Sequence, residues 1–259
     1  MDSQLQIRIQ RIREREKEAK RQRQRNARIS RMLGIAVFFA ISLLFFSGVL
    51  AEIDSPITNN DNADEEPGAA AVLSDWELVL VNYDNALPLE FKVDLAEFGS
   101  TRVDKRIAEQ LRNMIEDAES EGISFGVTSG FRSVAEQRAI FESRVLSYMS
   151  QGRNYEESNI FARQYLQPGG MSEHHTGLAV DLISDGSNRL DESFANTAAY
   201  IWLKENAHKY GFIERYPKDK SEITGILWEP WHYRYVGINH AKEINSRGFS
   251  LEEYIEYLS

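Results

Sequence analysis

The sequence predicts an α+β fold in which one transmembrane helix precedes a small antiparallel sheet with surrounding helices. Two observations predict it. Short apolar runs with strand character alternate with segments of helical spacing, and short turn-rich loops separate them. One uncharged run near the N-terminus is long enough to cross a bilayer, and the rest of the 259-residue chain can supply one substantial core.

The uncharged run is Met32–Ala51, which has twenty residues. A helix of that length spans roughly 30 Å, the thickness of the hydrocarbon core. A cleavable signal peptide and a buried core helix are the alternatives. The run is longer than a usual signal-peptide core of about 7 to 15 residues, and a core helix is rarely apolar on every face. We therefore expect an anchor in the cytoplasmic membrane.

Charge is distributed unevenly around this run. Residues 1–31 carry 11 Lys or Arg and 4 Asp or Glu; subtraction from the totals of 30 and 40 leaves 19 and 36 for the remainder. The positive-inside rule keeps the basic arm in the cytoplasm and exports the C-terminal part. Nucleic-acid or lipid binding by the arm is the alternative to this topological role. The acidic exported part is not expected to bind nucleic acid, which requires clustered cations.

These features divide the chain into four regions. The segment that follows the apolar run is acidic, rich in Asn and Pro and poor in large apolar residues, so it is predicted to be a flexible tether. The predicted regions are a cytoplasmic basic arm at 1–31, a transmembrane anchor at 32–51, a flexible linker at 52–73 and a folded domain at 74–259.

The first half of the domain predicts two strands and two helices. The strands are Trp76–Asn82 and Ser124–Ser129, each flanked by turn residues. A helix between them is expected to end near Gly122. It is predicted from apolar residues at helical spacing: Val103, Ile107, Leu111, Met114, Ile115 and Ala118. Ser133 and Glu136 have the spacing of a capping box and predict a second helix, which reaches about Met149.

The second half predicts a strand at Leu178–Ile183, a helix from about Asn196 to Gly211, and a strand from Trp231. Two short helices close the chain. A capping box at Ser250–Glu253 opens the last of them.

Candidate metal ligands are few, because the chain has no cysteine and only five histidines. Any metal must therefore be bound by His, Asp or Glu. A Gly-rich loop leads to His174, and Asp181 follows in an apolar strand, where an unpaired carboxylate is costly to bury. Alternation along the strand points Asp181 away from Val180 and Leu182. The plainer interpretation is a loop histidine followed by an ion-pair partner.

A second candidate segment places Glu229 three residues before His232, among aromatic residues. Two imidazoles, one carboxylate and an open fourth position are what a catalytic zinc requires. Glu229 is then the natural general base. Taken alone, His232 could equally be a half-buried sheet residue.

Both segments resemble one family. Ser172–Asp181 matches Ser-x-His-x-x-Gly-x-Ala-x-Asp, and Glu229–His232 matches Glu-x-x-His with Trp before the His. Together they resemble the VanY-type D-alanyl-D-alanine carboxypeptidases, whose wider group includes D-Ala-D-Ala dipeptidases and L,D-carboxypeptidases. The similarity also covers Trp76–Pro88 and Ser129–Ser133 with Gln137.

The resemblance implies a role for each matching residue. It implies His174, Asp181 and His232 as zinc ligands, Glu229 as the catalytic base and proton shuttle, and Arg132 as the cation that steadies the substrate carboxylate or the developing oxyanion. An arginine just before a helix cap can also offer a bidentate fork to a carboxylate on general grounds.

Other polar residues near the motifs carry weaker expectations. Ser172 and Gln137 are expected to hold polar groups of the substrate, with loop or cap structure as the alternative. His175 is expected to support the site or to face solvent. His208 and His240 are expected to be helix residues without a role.

The implied function is a zinc-dependent D-alanyl-D-alanine carboxypeptidase that trims peptidoglycan stem peptides outside the cytoplasm of a bacterium, held by a single-pass anchor. An L,D-carboxypeptidase acting on tetrapeptide stems is the enzymatic alternative. A peptidoglycan-binding module without activity is the other alternative, although an intact ligand set with Glu229 argues against it.

Overall fold

The computed structural model describes residues 75–88, 90–184 and 189–259. The predicted arm, anchor and linker at 1–31, 32–51 and 52–73 lie outside these ranges. Within the described ranges, no helix combines the length and the apolar character needed to span a membrane.

The described residues form a mixed α and β structure. The strands are β1 Leu95–Phe98, β2 Thr101–Asp104, β3 Phe125–Ser129, β4 Ala179–Ser184, β5 Phe212–Glu214 and β6 His232–Tyr235. The α-helices are α1 Ala108–Ser120, α2 Val134–Ser150, α3 Tyr155–Ala162, α4 Ala198–Asn206, α5 Ser221–Thr224, α6 Ile238–Arg247 and α7 Leu251–Tyr257. Short 3₁₀ turns lie at Trp76–Leu78, Glu173–Thr176, Glu192–Asn196 and Ala207–Tyr210.

Four strands form the sheet that positions the site, in the order β3-β4-β6-β5. All neighbours in it are antiparallel. β1 and β2 form a separate antiparallel hairpin. In the central pair Asp181 lies opposite His232, and Ser129 on β3 lies opposite Asp181. The register therefore brings polar residues of three strands to one place on the sheet.

The two faces of the sheet have different chemistry. Val180 and Leu182 of β4 and Tyr233 of β6 are buried in the main apolar core, together with Leu111 and Met114 of α1. Because side chains alternate along a strand, Asp181 and His232 face the other way. The apolar face anchors the sheet to α1 and leaves the opposite face free to carry a site.

Most predicted elements are confirmed. The strand predicted at Ser124–Ser129 is β3, and the one at Leu178–Ile183 is β4. The capping boxes at Ser133 and Ser250 are both formed. The helix expected to end at Gly211 is α4, which continues as a 3₁₀ turn before a left-handed Gly211.

The strand predicted at Trp76–Asn82 is wrong. Only a 3₁₀ turn forms there, over Trp76–Leu78. The carbonyls of Glu77 and Val79 accept hydrogen bonds from Nη2 of Arg234, at 3.1 and 2.9 Å. A buried guanidinium therefore takes the place of a neighbouring strand as their partner.

The start of the first predicted helix is also wrong. Val103 lies in β2, and the helix begins only at Ala108. Val103 and Ile107 are both fully buried in the same core as the helix, so the apolar spacing records shared burial and not continuous helix.

Candidate active site

Asp181 and His232 form the centre of the site. Nδ1 of His232 lies 3.0 Å from Oδ1 of Asp181, and both residues are buried. Burial alone would lower the pKa of His232, but hydrogen bonds with Asp181 and the nearby carboxylates raise that pKa to about 9. Burial would raise the pKa of Asp181, but His174 and His232 hold it well below its usual range. A positive charge is therefore favoured between the two residues.

His174 reaches the same point from a 3₁₀ turn, which closes at Gly177 with a φ of +69°. Its Nδ1 lies 2.7 Å from the carbonyl oxygen of Gly130. A carbonyl only accepts, so Nδ1 carries the proton. Burial lowers the pKa of His174, which favours the neutral ring. Nε2 then presents a lone pair to Oδ2 of Asp181, 3.2 Å away.

This arrangement fits a metal ion. Two acceptors 3.2 Å apart, Nε2 of His174 and Oδ2 of Asp181, repel each other unless a cation lies between or beside them. One ligand atom from each of His174, Asp181 and His232 lies within 4.8 Å of the others. Two imidazoles and one carboxylate are a donor set that zinc prefers. The three predicted ligands are thus brought together, with the chemistry that zinc requires.

Glu229 lies at the edge of this group. Its Oε2 is 3.9 Å from Nδ1 of His232, which is beyond hydrogen-bond distance. Burial raises the pKa of Glu229 to about 8. A bound cation would lower that pKa again, because it stabilises the ionised form. The carboxyl group can therefore exchange a proton near neutral pH.

Arg132 is held beside the same carboxylate. Its Nη1 donates to Oε1 of Gln137 at 2.6 Å, and its Nη2 donates to Oγ of Ser129 at 2.8 Å. Nη2 also lies 3.7 Å from Oδ2 of Asp181. A guanidinium has five N–H donors, so others stay available to a ligand in the cleft. The fork is fixed in place before any ligand arrives.

Gln137 and His175 both support Arg132. Nε2 of Gln137 donates to the carbonyl of Gln167 at 2.5 Å, so both ends of its amide are engaged. Nδ1 of His175 donates to the carbonyl of Arg132 at 2.7 Å, and its Nε2 accepts from the amide of Gly170 at 2.9 Å. His175 is buried, with both nitrogens bonded within the protein, which confirms a supporting position.

Of the other predicted residues, Ser172 lies in the site and two histidines lie outside it. Ser172 is buried at the cleft, where it lines the same cavity as Gln137. His208 and His240 do not join the site. Nδ1 of His240 bonds the hydroxyl of Tyr254 at 2.8 Å, and its Nε2 lies 3.2 Å from Asp75.

Sequence reasoning missed a buried ionic cluster behind the ligands. Glu173, Arg215 and Arg234 are all essentially fully buried. Burial would raise the pKa of Glu173, but the charges of Arg215 and Arg234 hold it well below its usual range. The available signal was a glutamate directly before a ligand histidine, in a loop between apolar elements.

The cleft in front of the ligands has a volume of about 560 Å³. Tyr216, Trp228 and Trp231 line it, together with Ile140 and Leu166. A mostly apolar cleft with a few convergent polar groups is typical of a substrate site. With a His–Asp–His group, a proton-exchanging carboxyl and a fixed arginine in one cleft, the fold and the site define a zinc-dependent peptidase.

The chain belongs to the VanY family, described as D-alanyl-D-alanine carboxypeptidase, which matches residues 100–238. It is 39% identical over 182 residues to a D-alanyl-D-alanine carboxypeptidase of Enterococcus faecalis; the match covers 70% of this chain and 66% of that protein. The chain therefore spans about two thirds of that relative's length.

Solved structures agree with this assignment. A vancomycin resistance D,D-pentapeptidase VanY in complex with Zn(II) matches with a TM-score of 0.64 and 39% identity, over 70% of this chain and 99% of that one. VanYB in complex with D-alanine-D-alanine matches with a TM-score of 0.65 and 40% identity, over 70% and 98%. The LD-carboxypeptidase LdcB matches with a TM-score of 0.59 and 36% identity, over 68% and 84%.

Proposed function

We propose that the chain is a zinc-dependent D-alanyl-D-alanine carboxypeptidase that removes the C-terminal D-alanine from peptidoglycan stem peptides. The observation that carries the proposal is the fixed guanidinium of Arg132, which lies 3.7 Å from Asp181 in the ligand group. A carboxypeptidase must hold a free carboxylate close to the scissile carbonyl, and this arginine offers a cation beside the residues that would hold the metal. The structure of VanYB with D-alanine-D-alanine supports the same substrate.

His174, Asp181 and His232 would hold the zinc. When bound, the metal supplies Lewis acidity and lowers the pKa of water. Glu229 takes up the proton released by the attacking water and passes it to the leaving amine, for which a carboxyl poised near neutral pH is suited. Arg132 pairs with the C-terminal carboxylate or with the oxyanion that develops beside it. Ser172, which lines the cleft, would hold polar groups of the substrate.

The test is mass spectrometry of peptide digests. A pentapeptide ending in D-Ala-D-Ala incubated with the full chain and zinc should lose one D-alanine. The same peptide with a C-terminal amide should be cleaved far more slowly, because Arg132 then lacks its partner. Release of an intact D-Ala-D-Ala dipeptide would contradict the proposal. A chain that binds both zinc and peptide without cleavage would be a binding module.

The likeness to the LD-carboxypeptidase LdcB favours a second candidate, the removal of D-alanine from tetrapeptides. The same digests separate the two. Tetrapeptide accumulates if the D,D bond is cut, and tripeptide forms from tetrapeptide if the L,D bond is cut.

We also propose that Met32–Ala51 anchors the protein in the bacterial cytoplasmic membrane, with the basic arm inside and the catalytic domain outside. The support is the uncharged twenty-residue run and the eleven cations that precede it. Peptidoglycan lies outside the membrane, so this topology brings the enzyme to its substrate.

A further inference from the structure

Glu173 contacts the metal-ligand group from behind, and its two carboxylate oxygens differ. Oε1 accepts from Nε of Arg215 at 2.7 Å and from Nη1 of Arg234 at 3.0 Å. Oε2 is buried and has no hydrogen-bond partner among the described residues. This oxygen lies 3.7 Å from Nε2 of His232. That nitrogen is also buried and has no hydrogen-bond partner among the described residues.

The two nitrogens of His232 consequently face different groups. Nδ1 faces the ligand group, 3.0 Å from Asp181, and Nε2 faces Glu173. An imidazole that binds a metal through one nitrogen carries its proton on the other. That N–H needs an acceptor, because a buried donor left unpaired is destabilising. The free oxygen of Glu173 is the nearby acceptor without a partner.

We propose that Glu173 is a positioning residue for the zinc site: it accepts the Nε2–H of His232 and so makes Nδ1 the atom that binds the metal. The separation of 3.7 Å is longer than a hydrogen bond, so the proposal requires the two atoms to move closer when the metal binds. Carboxylates behind a ligand histidine commonly fix its tautomer and raise its basicity. The inference rests on the zinc site of the proposed function, but not on the peptide that is cut.

A variant that removes the charge of Glu173 would confound the test. Arg234 is fully buried, and Glu173 is the one carboxylate that forms an ion pair with it among the described residues, so a variant without that charge would leave a buried cation unpaired and destabilise the fold. Glu173→Asp keeps the charge and withdraws the carboxylate by one methylene, or about 1.5 Å. The shortened carboxylate then no longer reaches Nε2 of His232.

The matched control is Glu252→Asp. Glu252 pairs with Nη1 and Nη2 of Arg215 at 2.9 and 2.6 Å. Glu252→Asp therefore shortens a carboxylate that contacts the same arginine as Glu173. No contact joins Glu252 to His232 among the described residues. A merely structural effect of the ionic cluster would appear in both variants.

Zinc affinity of the full chain is measured by competition with a chelator, after thermal unfolding has shown that each variant folds. Glu173→Asp should weaken zinc binding about 10- to 100-fold, and Glu252→Asp should leave it unchanged. Nitrogen NMR of the zinc-loaded wild type should show His232 protonated at Nε2 and coordinating through Nδ1.

Three results would overturn the proposal: unchanged affinity in Glu173→Asp, an equal loss in both variants, or coordination of His232 through Nε2. If Glu173→Asp does not fold, the wild-type spectrum decides alone. Neither measurement involves a peptide. A chain that shows the expected tautomer but releases no D-alanine would refute the proposed function and leave this inference standing.

Discussion

Asp181 contacts both candidate ligand histidines, so the loss of any one of the three residues should disrupt metal binding. One of its oxygens lies 3.0 Å from His232 and the other 3.2 Å from His174. Three protein ligands leave no spare one. His174→Ala, Asp181→Ala and His232→Ala should each abolish most zinc binding, as measured by metal analysis of the purified chain. Full occupancy in all three would place the metal elsewhere.

Glu229→Ala should behave differently. The carboxyl group lies 3.9 Å from Nδ1 of His232, and its proposed role is that of a proton carrier and not of a ligand. The variant should retain zinc while turnover falls about 10²- to 10⁴-fold, the usual worth of a general base. Metal analysis and peptide kinetics on one preparation test this. Loss of zinc would make Glu229 a ligand and remove its assigned role.

The proposed pairing of Arg132 with the substrate carboxylate predicts an effect that depends on the charge of the peptide C-terminus. A hydrogen bond to a charged group contributes about 1.5 to 3 kcal/mol, so Arg132→Gln should lower kcat/KM about 10- to 100-fold on peptides with a free carboxylate. The preference for peptides with a free carboxylate over amidated peptides should shrink in the same variant. Arg144 lines the same cleft, and Arg144→Gln is the control that should keep the preference. Equal losses in both variants would indicate general electrostatics.

The two motifs and their resemblance to the VanY-type family predicted that His174, Asp181, His232, Glu229 and Arg132 would share one site. The structure brings all five into one cleft. The motifs carry this information because each chemistry-bearing side chain sits at a fixed spacing from a turn or strand.

The cluster behind the site could not be predicted in the same way. Glu173 and Arg215 meet across 42 positions, and Glu173 and Arg234 across 61. Neither pair leaves a local pattern in the sequence. In the sequence, Arg215 and Arg234 resemble ordinary strand or loop residues. Only the folded structure shows that both are buried.

Elements with their own start or stop signals were predicted well. Helix α2 begins at a capping box on Ser133, and the turn after α4 ends at a left-handed Gly211. Helix α3, at Tyr155–Ala162, was not predicted, although Asn154 caps it. The hairpin Leu95–Asp104 was missed because its burial is irregular and its residues do not alternate cleanly.

The turn that presents His174 depends on Gly177. Its φ is +69°, and an added Cβ would lie 2.7 Å from the backbone nitrogen of Asp104. Gly177→Ala therefore combines a left-handed conformation, at about 1 to 2 kcal/mol, with overpacking, at about 1 to 3 kcal/mol. Chemical denaturation should show a loss of about 2 to 5 kcal/mol in the free energy of unfolding.

Gly248 is the control for that prediction. Its φ of +65° is nearly the same, but an added Cβ would meet nothing within 4 Å. Gly248→Ala should lose only the conformational share, about 1 to 2 kcal/mol. Equal losses in the two variants would mean that the contact with Asp104 relaxes without cost.

At the scale of the whole chain, charge separates an acidic catalytic part from a basic arm. The 19 basic and 36 acidic residues that follow residue 31 give that part a net charge of about −17, by difference from the totals of 30 and 40. Such a field repels nucleic acid and other anions at long range, within the screening of the medium. Substrate carboxylates must then be attracted locally, which fits a fixed cation inside the cleft.

The arrangement of arm and apolar run makes a prediction about the intact protein in a bacterial cell. Eleven cations before Met32–Ala51 should hold the N-terminus inside, because translocating each one is costly. A reporter fused after Ser259 that is active only outside the cytoplasm should therefore be active. A cytoplasm-only reporter at the same position should be silent.

Replacing the arm's Lys and Arg by Gln should reduce the difference between the two reporters, whereas the same number of replacements after Ser74 should not. N-terminal sequencing of the membrane fraction should still find the arm; a released form that begins near Glu52 would make the apolar run a cleaved signal peptide.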